Sequence, residues 1–278
     1  MTEPHSGSSQ KSGLAMGNVL KREQDGKYHI VEDQVSIEEP LEIQVNGQPL
    51  AVTMRTPGQD EELALGFLLT EGLIRHQSDL QMEKTLQLES NRISLHLAEN
   101  HPHTSTPLQR YGTIQASCGI CGTTSIADIL KRHSPLEVKP QPNLPESRLL
   151  ELPETMRMAQ AQFSNSGGLH ASALFRAGGQ LQCLREDIGR HNALDKVAGW
   201  AILQEAVPLE QSLLLVSGRT SFELVQKALA LRIPVLAGIS APSSLAVNFA
   251  RDCGITLIGF LRSNRFNVYT HPQRLNRE

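Results

Sequence analysis

Three short, almost wholly apolar runs at residues 213–216, 235–239 and 256–260, separated by capped helical patterns, restrict the fold of this chain more than any other feature. Runs of that length between turn residues are buried strands. Thr220 and Glu223 form a capping box ahead of one helix, and Ala241-Pro242-Ser243-Ser244 opens the next, which stops at Gly254. Strands apolar on both faces and joined through helices imply a parallel sheet covered on both sides. Ligands of such sheets bind beyond the carboxyl ends of the strands. Three unusual loops are expected at that end: Ser217-Gly218-Arg219, Ser240-Ala241-Pro242-Ser243, and Leu261-Arg262-Ser263-Asn264-Arg265 after Phe260. Two run into helix N-termini, which attract anions. Two carry arginines, which suit phosphate oxygens. An anionic ligand is expected there, the alternative being three ordinary caps with solvated arginines.

The chemistry is concentrated in Ser117-Cys118-Gly119-Ile120-Cys121-Gly122. A thiol is a nucleophile only as thiolate, and an ordinary cysteine is roughly 3% ionised at pH 7. A helix beginning near Thr124, with its N-terminal dipole toward the sulfurs, favours the thiolate. Three readings are open: half of a zinc site completed by Cys183, Cys253 and His170, a dithiol redox pair, or a reactive sulfur carrier on an exposed loop. No second closely spaced pair completes a zinc set, and no clean buried strand precedes Cys118.

With 278 residues the length suggests about two domains. A net charge of −3 gives no reason to expect a partner among nucleic acids. No apolar run approaches a membrane span, and four cysteines make no disulfide framework. A cytoplasmic protein with reduced thiols is expected. Residues 1–27 read as a disordered tail. Residues 28–110 read as a small α+β, hairpin-rich domain. Its signals are alternation at 41–45 and 50–54 around Asn46-Gly47, and an amphipathic helix at 61–69. Residues 111–134 carry the cysteine loop and a helix, 135–146 a proline-rich connector, and 147–278 an α/β core. The histidines of 101–107 read as part of a solvated loop.

The run Glu186-Asp187-Ile188-Gly189-Arg190-His191-Asn192-Ala193-Leu194-Asp195-Lys196 is dense in groups that hydrogen-bond or move protons. A solvated helix start accounts for Lys196 and for Asp195. It accounts less well for Asp187, Arg190 and His191, which the turn at Gly189 crowds together.

These pieces, taken in order, resemble the FdhD family of formate dehydrogenase accessory sulfurtransferases. The likeness rests on Glu39-Pro40-Leu41 with Val45-Asn46-Gly47, Met54-Arg55-Thr56-Pro57, Gly66-Phe67-Leu68 with Thr70-Glu71-Gly72, and the C-x-x-C segment. It continues through Gly167-Gly168-Leu169-His170, the run from Glu186 to Lys196, Ser217-Gly218-Arg219, and Asn267-Val268-Tyr269-Thr270. The resemblance implies a cytidine deaminase-like α/β core and a homodimer. It implies a persulfide taken from a cysteine desulfurase and passed to the molybdenum bis(molybdopterin guanine dinucleotide) cofactor for formate dehydrogenase, with no resident metal. Cys118 matches the persulfide-bearing cysteine and Cys121 its partner. Phe260, Leu261, Arg262, Ser263, Asn264 and Arg265 match the cofactor-binding segment, for which GDP is a surrogate ligand. Ser217, Gly218, Arg219, His170, Asp187, Arg190 and His191 are expected to complete the cofactor site. A zinc deaminase needs H-x-E before P-C-x-x-C. Here Ser172 stands two places after His170, and the cysteine pair precedes the histidine. The rival reading is a chaperone that binds and inserts the finished cofactor without touching sulfur.

Overall fold

The computed structural model describes residues 13–81, 87–89, 91–103, 112–114, 126–139 and 141–276. Strands β1 (Leu14–Arg22) and β2 (Tyr28–Ser36) form an antiparallel ribbon. The expectation of a disordered tail to residue 27 is thereby corrected for residues 14–22. Alternation there is masked by polar residues on both faces, because the ribbon is largely exposed. The hairpin β3 (Glu39–Val45) and β4 (Gln48–Arg55) turns at Asn46-Gly47, both at positive φ, as expected. Helix α1 (Asp60–Thr70) follows, then β5 (Gln87–Glu89), β6 (Arg92–Leu95) and β7 (Gly112–Ile114). Together the strands make a five-stranded sheet in the order β5-β6-β3-β4-β7. Helix α2 (Ile126–Arg132) leads to the extended connector and β8 (Leu144–Pro145).

The core begins with α3 (Glu146–Ala159), which continues through Pro153, and the single turn α4 (Phe163–Ser166). Then come β9 (His170–Arg176), β10 (Leu181–Asp187), α5 (Arg190–Leu203), β11 (Ser212–Val216), α6 (Phe222–Ala230) and β12 (Val235–Gly238). The chain finishes with α7 (Ser244–Asp252), β13 (Thr256–Arg262), β14 (Arg265–Val268) and β15 (Leu275–Asn276), the last paired with β8. The six-stranded sheet runs β10-β9-β11-β12-β13-β14. Only β11, β12 and β13 are parallel to one another; β9, β10 and β14 add antiparallel pairs. The three strands expected to be parallel are so, and they sit in a mixed sheet, because hairpins at 176–181 and 262–265 reverse the chain where no helix intervenes. The capping box at Thr220 does not form: Ser221 is the N-cap, and the buried Thr220 hydroxyl has no partner. Ser243 caps α7 as expected, accepting from the Ala246 amide at 3.2 Å. No helix among the described residues is long and apolar enough to cross a membrane.

Helix α1 joins the two sheets. Its sequence predicts one apolar face, but nearly every side is buried, between the N-terminal sheet and α5. The contact with α5 is backbone on backbone. A Cβ at Gly66 would lie 1.7 Å from the Asp195 carbonyl oxygen, and one at Gly199 would lie 1.8 Å from that of Glu62. No side chain other than hydrogen fits at either place.

Beneath this contact lies a buried charge cluster. Lys227 Nζ donates to both Asp195 carboxylate oxygens at 2.9 and 3.0 Å and to Thr70 Oγ1 at 2.9 Å, with Glu71 Oε1 at 3.8 Å. Asp195 and Lys196, expected on the outer face, are both buried. Helix α5 has no outer face at that point, because α1 and α6 cover it. One ammonium faces two carboxylates. Burial pushes Glu71 above the usual carboxylate value, against the pull of Lys227. A carboxyl raised in the folded state contributes stability below its unfolded value of about 4.5 and loses it as pH rises through the folded value. Glu71→Gln is therefore expected to melt above wild type at pH 8, by a margin that narrows toward pH 4.5. Equal margins at both values in thermal scans would contradict this account.

Candidate functional site

A cavity of about 590 Å³ opens where β11, β12 and β13 end and β9 begins, within the range of small-molecule sites. The sheet side of the wall is built from residues that terminate strands. His170 starts β9, Ser217 and Ile239 follow β11 and β12, and Arg262 and Ser263 lead out of β13. Because β9 runs antiparallel to β11, its first residue meets their carboxyl ends. The opposite wall is α3 and α4, contributing Met156, Arg157, Gln160 and Phe163. The turn Gly167-Gly168-Leu169 closes the floor.

The expected loops thus converge in part. Ser217 is locked to β9: its hydroxyl accepts from the Ala171 amide at 2.9 Å, and its amide donates to the Ala171 carbonyl. Gly218 lies against His170, where a Cβ would stand 3.2 Å from Nδ1. Burial and then the nearby Arg190 guanidinium hold His170 below the usual imidazole value, against Asp187, so the ring is neutral at pH 7. Arg190 Nε is buried with no partner, an orphaned cationic donor beside the cavity wall. Arg262 Nη1 donates to the carbonyls of Ile239 and Leu261, which braces its guanidinium at the rim.

Other expected residues lie elsewhere. Phe260 is exposed at positive φ on a bulge in β13, its amide donating to the Ser240 carbonyl. Asn264 and Arg265 are exposed on the hairpin to β14, and Arg219 is exposed after β11; none lines the cavity. Leu261 is fully buried in the apolar cluster under the sheet, so it anchors the segment and does not reach a ligand. His191 is buried at the start of α5, 3.3 Å from Ser221 Oγ and 3.9 Å from Glu223. The α3–α4 wall was not anticipated from the sequence. Its one available signal was the spacing of Met156, Gln160 and Phe163 on a helical face next to the glycine turn.

Asp187 is corrected from ligand contact to foundation. It is fully buried, and its carboxylate accepts from the amides of Gly189 at 2.8 Å and Thr56 at 3.1 Å, from Asn192 Nδ2 at 3.0 Å, and pairs with Lys196 Nζ at 2.7 Å. Lys196 also donates to the Thr56 carbonyl at 3.0 Å, and Asn192 to that of Met54 at 2.7 Å. The run from Glu186 to Lys196 thus clamps the first turn of α5 to the end of β4. Arg55 stiffens that end through a two-point pair with Asp60, 2.9 Å at each contact.

Cys118 and Cys121 lie outside the described residues. The last described residue before them, Ile114, pairs with Thr53, whose hydroxyl donates to Asn192 at 3.1 Å. The other two cysteines are buried on separate elements, and burial pushes each thiol up to about 12. Neither is a thiolate at pH 7, and both belong to the main apolar cluster, which removes them as partners in the zinc reading. Among the described residues no three His, Cys, Asp or Glu side chains gather as a metal site.

Comparison with known proteins adds three findings. A family model described as the FdhD/NarQ family matches residues 36–276. The sulfur carrier protein FdhD of Mycobacterium tuberculosis is 44% identical over 264 residues, covering 89% of this chain and 96% of its own. That of Sulfolobus acidocaldarius is 42% identical over 257 residues, covering 92% and 97%. A crystal structure from Desulfotalea psychrophila, described as a formate dehydrogenase accessory protein, superposes with a TM-score of 0.76 at 25% identity, covering 95% of this chain and all of that one.

Proposed function

The chain belongs to the FdhD/NarQ family, and on that footing we propose that it is a sulfurtransferase serving formate dehydrogenase. It takes sulfur from a cysteine desulfurase and delivers it to the molybdenum bis(molybdopterin guanine dinucleotide) cofactor. The observation that carries this reading is the state of the cysteines. Of four in the chain, the two described are buried thiols pushed to about 12. That leaves Cys118 and Cys121 to carry thiolate chemistry. In the loading step Cys118 thiolate attacks the outer sulfur of the donor's persulfide. A new S–S bond forms at Cys118, the donor's S–S bond breaks, and the donor cysteine leaves as thiolate. In the release step Cys121 thiolate attacks Cys118 Sγ. The outer sulfur departs as hydrosulfide, and the resulting Cys118–Cys121 disulfide is reduced by an external dithiol.

The cavity is our candidate for the nucleotide ends of the cofactor. Arg262 at its rim, the orphaned donor of Arg190 and the neutral His170 suit a polyanionic ligand with hydrogen-bonding groups. The strand order β10-β9-β11-β12-β13, with its three parallel members, is what supports a cytidine deaminase-like core.

GDP serves as the test ligand. Loss of a charge-assisted hydrogen bond costs about 1.5–3 kcal/mol, a ten- to hundredfold loss of affinity. Calorimetry should show that loss in Arg262→Ala. It should show a smaller one in Arg265→Ala, whose side chain is exposed and outside the cavity lining. Binding should also weaken as salt rises. Wild-type affinity in Arg262→Ala would place the nucleotide elsewhere.

A further inference from the structure

We infer that the α3–α4 wall reads the base of the bound nucleotide, with Gln160 as the residue that recognises its hydrogen-bonding edge. The inference rests on the nucleotide reading of the cavity and deepens it. Gln160 is 5% exposed, yet it lines the cavity. Its backbone is fully occupied: the amide donates to the Arg157 carbonyl, and the carbonyl accepts from the Ser164 amide and hydroxyl. Its side-chain amide makes no hydrogen bond among the described residues and is not among the enclosed polar atoms left without a partner. A donor and an acceptor are thus held side by side on an almost buried residue of the cavity lining. A ligand with a matching edge would find both groups free to pair.

The surroundings identify the ligand part. Phe163 and Met156 flank Gln160 on the same wall, with Leu169 and Ile239 on the others. A flat, apolar-faced group with a donor and an acceptor on one edge is a nucleobase. An aromatic ring supplies its stacking surface. Arg262, on the sheet side of the lining, is left for the phosphates. Base and diphosphate are thus assigned to different parts of the lining: the α3–α4 side, where Arg157 is paired with Glu154 at 2.6 Å, and the sheet side, where Arg262 stands.

Calorimetry with GDP and with inorganic pyrophosphate separates the walls. Wild type should bind GDP more tightly than pyrophosphate. Gln160→Leu keeps the volume and removes the amide, and a site built around a polar edge loses heavily when its partner is gone. It is expected to lower GDP affinity ten- to hundredfold, to leave pyrophosphate affinity within twofold, and to melt close to wild type. Phe163→Ala, at a partly exposed position, should likewise lower GDP and spare pyrophosphate. An unchanged ratio of GDP to pyrophosphate affinity in Gln160→Leu overturns the assignment of the base wall while leaving the nucleotide site standing. A wild type that binds neither ligand removes the nucleotide site itself.

Discussion

Cys118→Ala protein incubated with a cysteine desulfurase and cysteine is expected to show no added sulfur in its intact mass, where wild type gains one or more sulfur atoms removable by cyanide or reductant. The effect is all or none, because the acceptor atom itself is deleted, and the buried thiols of Cys183 and Cys253 offer no thiolate to replace it. Cys121→Ala should still load but deliver poorly, since only the release step lacks its nucleophile. GDP affinity should be unchanged in both. Loading that survives in Cys118→Ala and disappears in Cys121→Ala reverses the two roles. Full formate dehydrogenase maturation by a Cys118→Ala protein that still binds GDP would favour the inserting chaperone over the sulfurtransferase.

Lys196→Met should be the most destabilising single change near the site. It strands the Asp187 carboxylate, which is fully buried and loses a partner at 2.7 Å. Breaking a buried pair from one side typically costs about 3–5 kcal/mol, and in a chain of this size that lowers Tm by on the order of 10 °C. The methionine fills the space, so lost packing is a small part of the loss. Two further carbonyl contacts, from Thr56 and Glu186, go with the ammonium. Thermal unfolding of Lys196→Met, Asp187→Asn and the double variant should show the double well short of the sum, as coupled partners require. A Tm within 2 °C of wild type would show that water or a neighbour compensates the carboxylate.

Much of this arrangement is legible in the residues. The three apolar strands, the helices between them and the Asn46-Gly47 hairpin follow from period and turn chemistry alone. So does the expectation of an opening at the strand ends, where a cavity lined by Ser217 and Arg262 lies. What failed to show is tertiary in origin. Lys196 and Asp195 sit on a helix start that any local rule makes solvent-facing. Their burial depends on α1, more than a hundred residues earlier in the chain. Asp187 looked like a ligand-facing acid because density of polar groups does not distinguish a clamp from a site. Gln160 carries only its helical spacing with Met156 and Phe163, which does not single it out, since its role depends on a cavity assembled from strand ends far along the chain. The family resemblance located Phe260 to Arg265 as a unit. Within that unit burial separates Leu261, a core anchor, from Arg262 at the rim.

The glycine contact between α1 and α5 has a consequence during synthesis. Helix α1 leaves the ribosome carrying Leu63, Leu65, Phe67, Leu68 and Leu69, which the finished protein hides on nearly every side. The partner that covers one of those sides, α5, is not complete until Leu203 has been added. At typical elongation rates that delay is on the order of ten seconds. Throughout it the nascent chain presents a greasy helix with nowhere to dock. The N-terminal half is therefore expected to need a chaperone while translation continues. A chain stopped before α5 should collect in inclusion bodies, however well formed its five-stranded sheet.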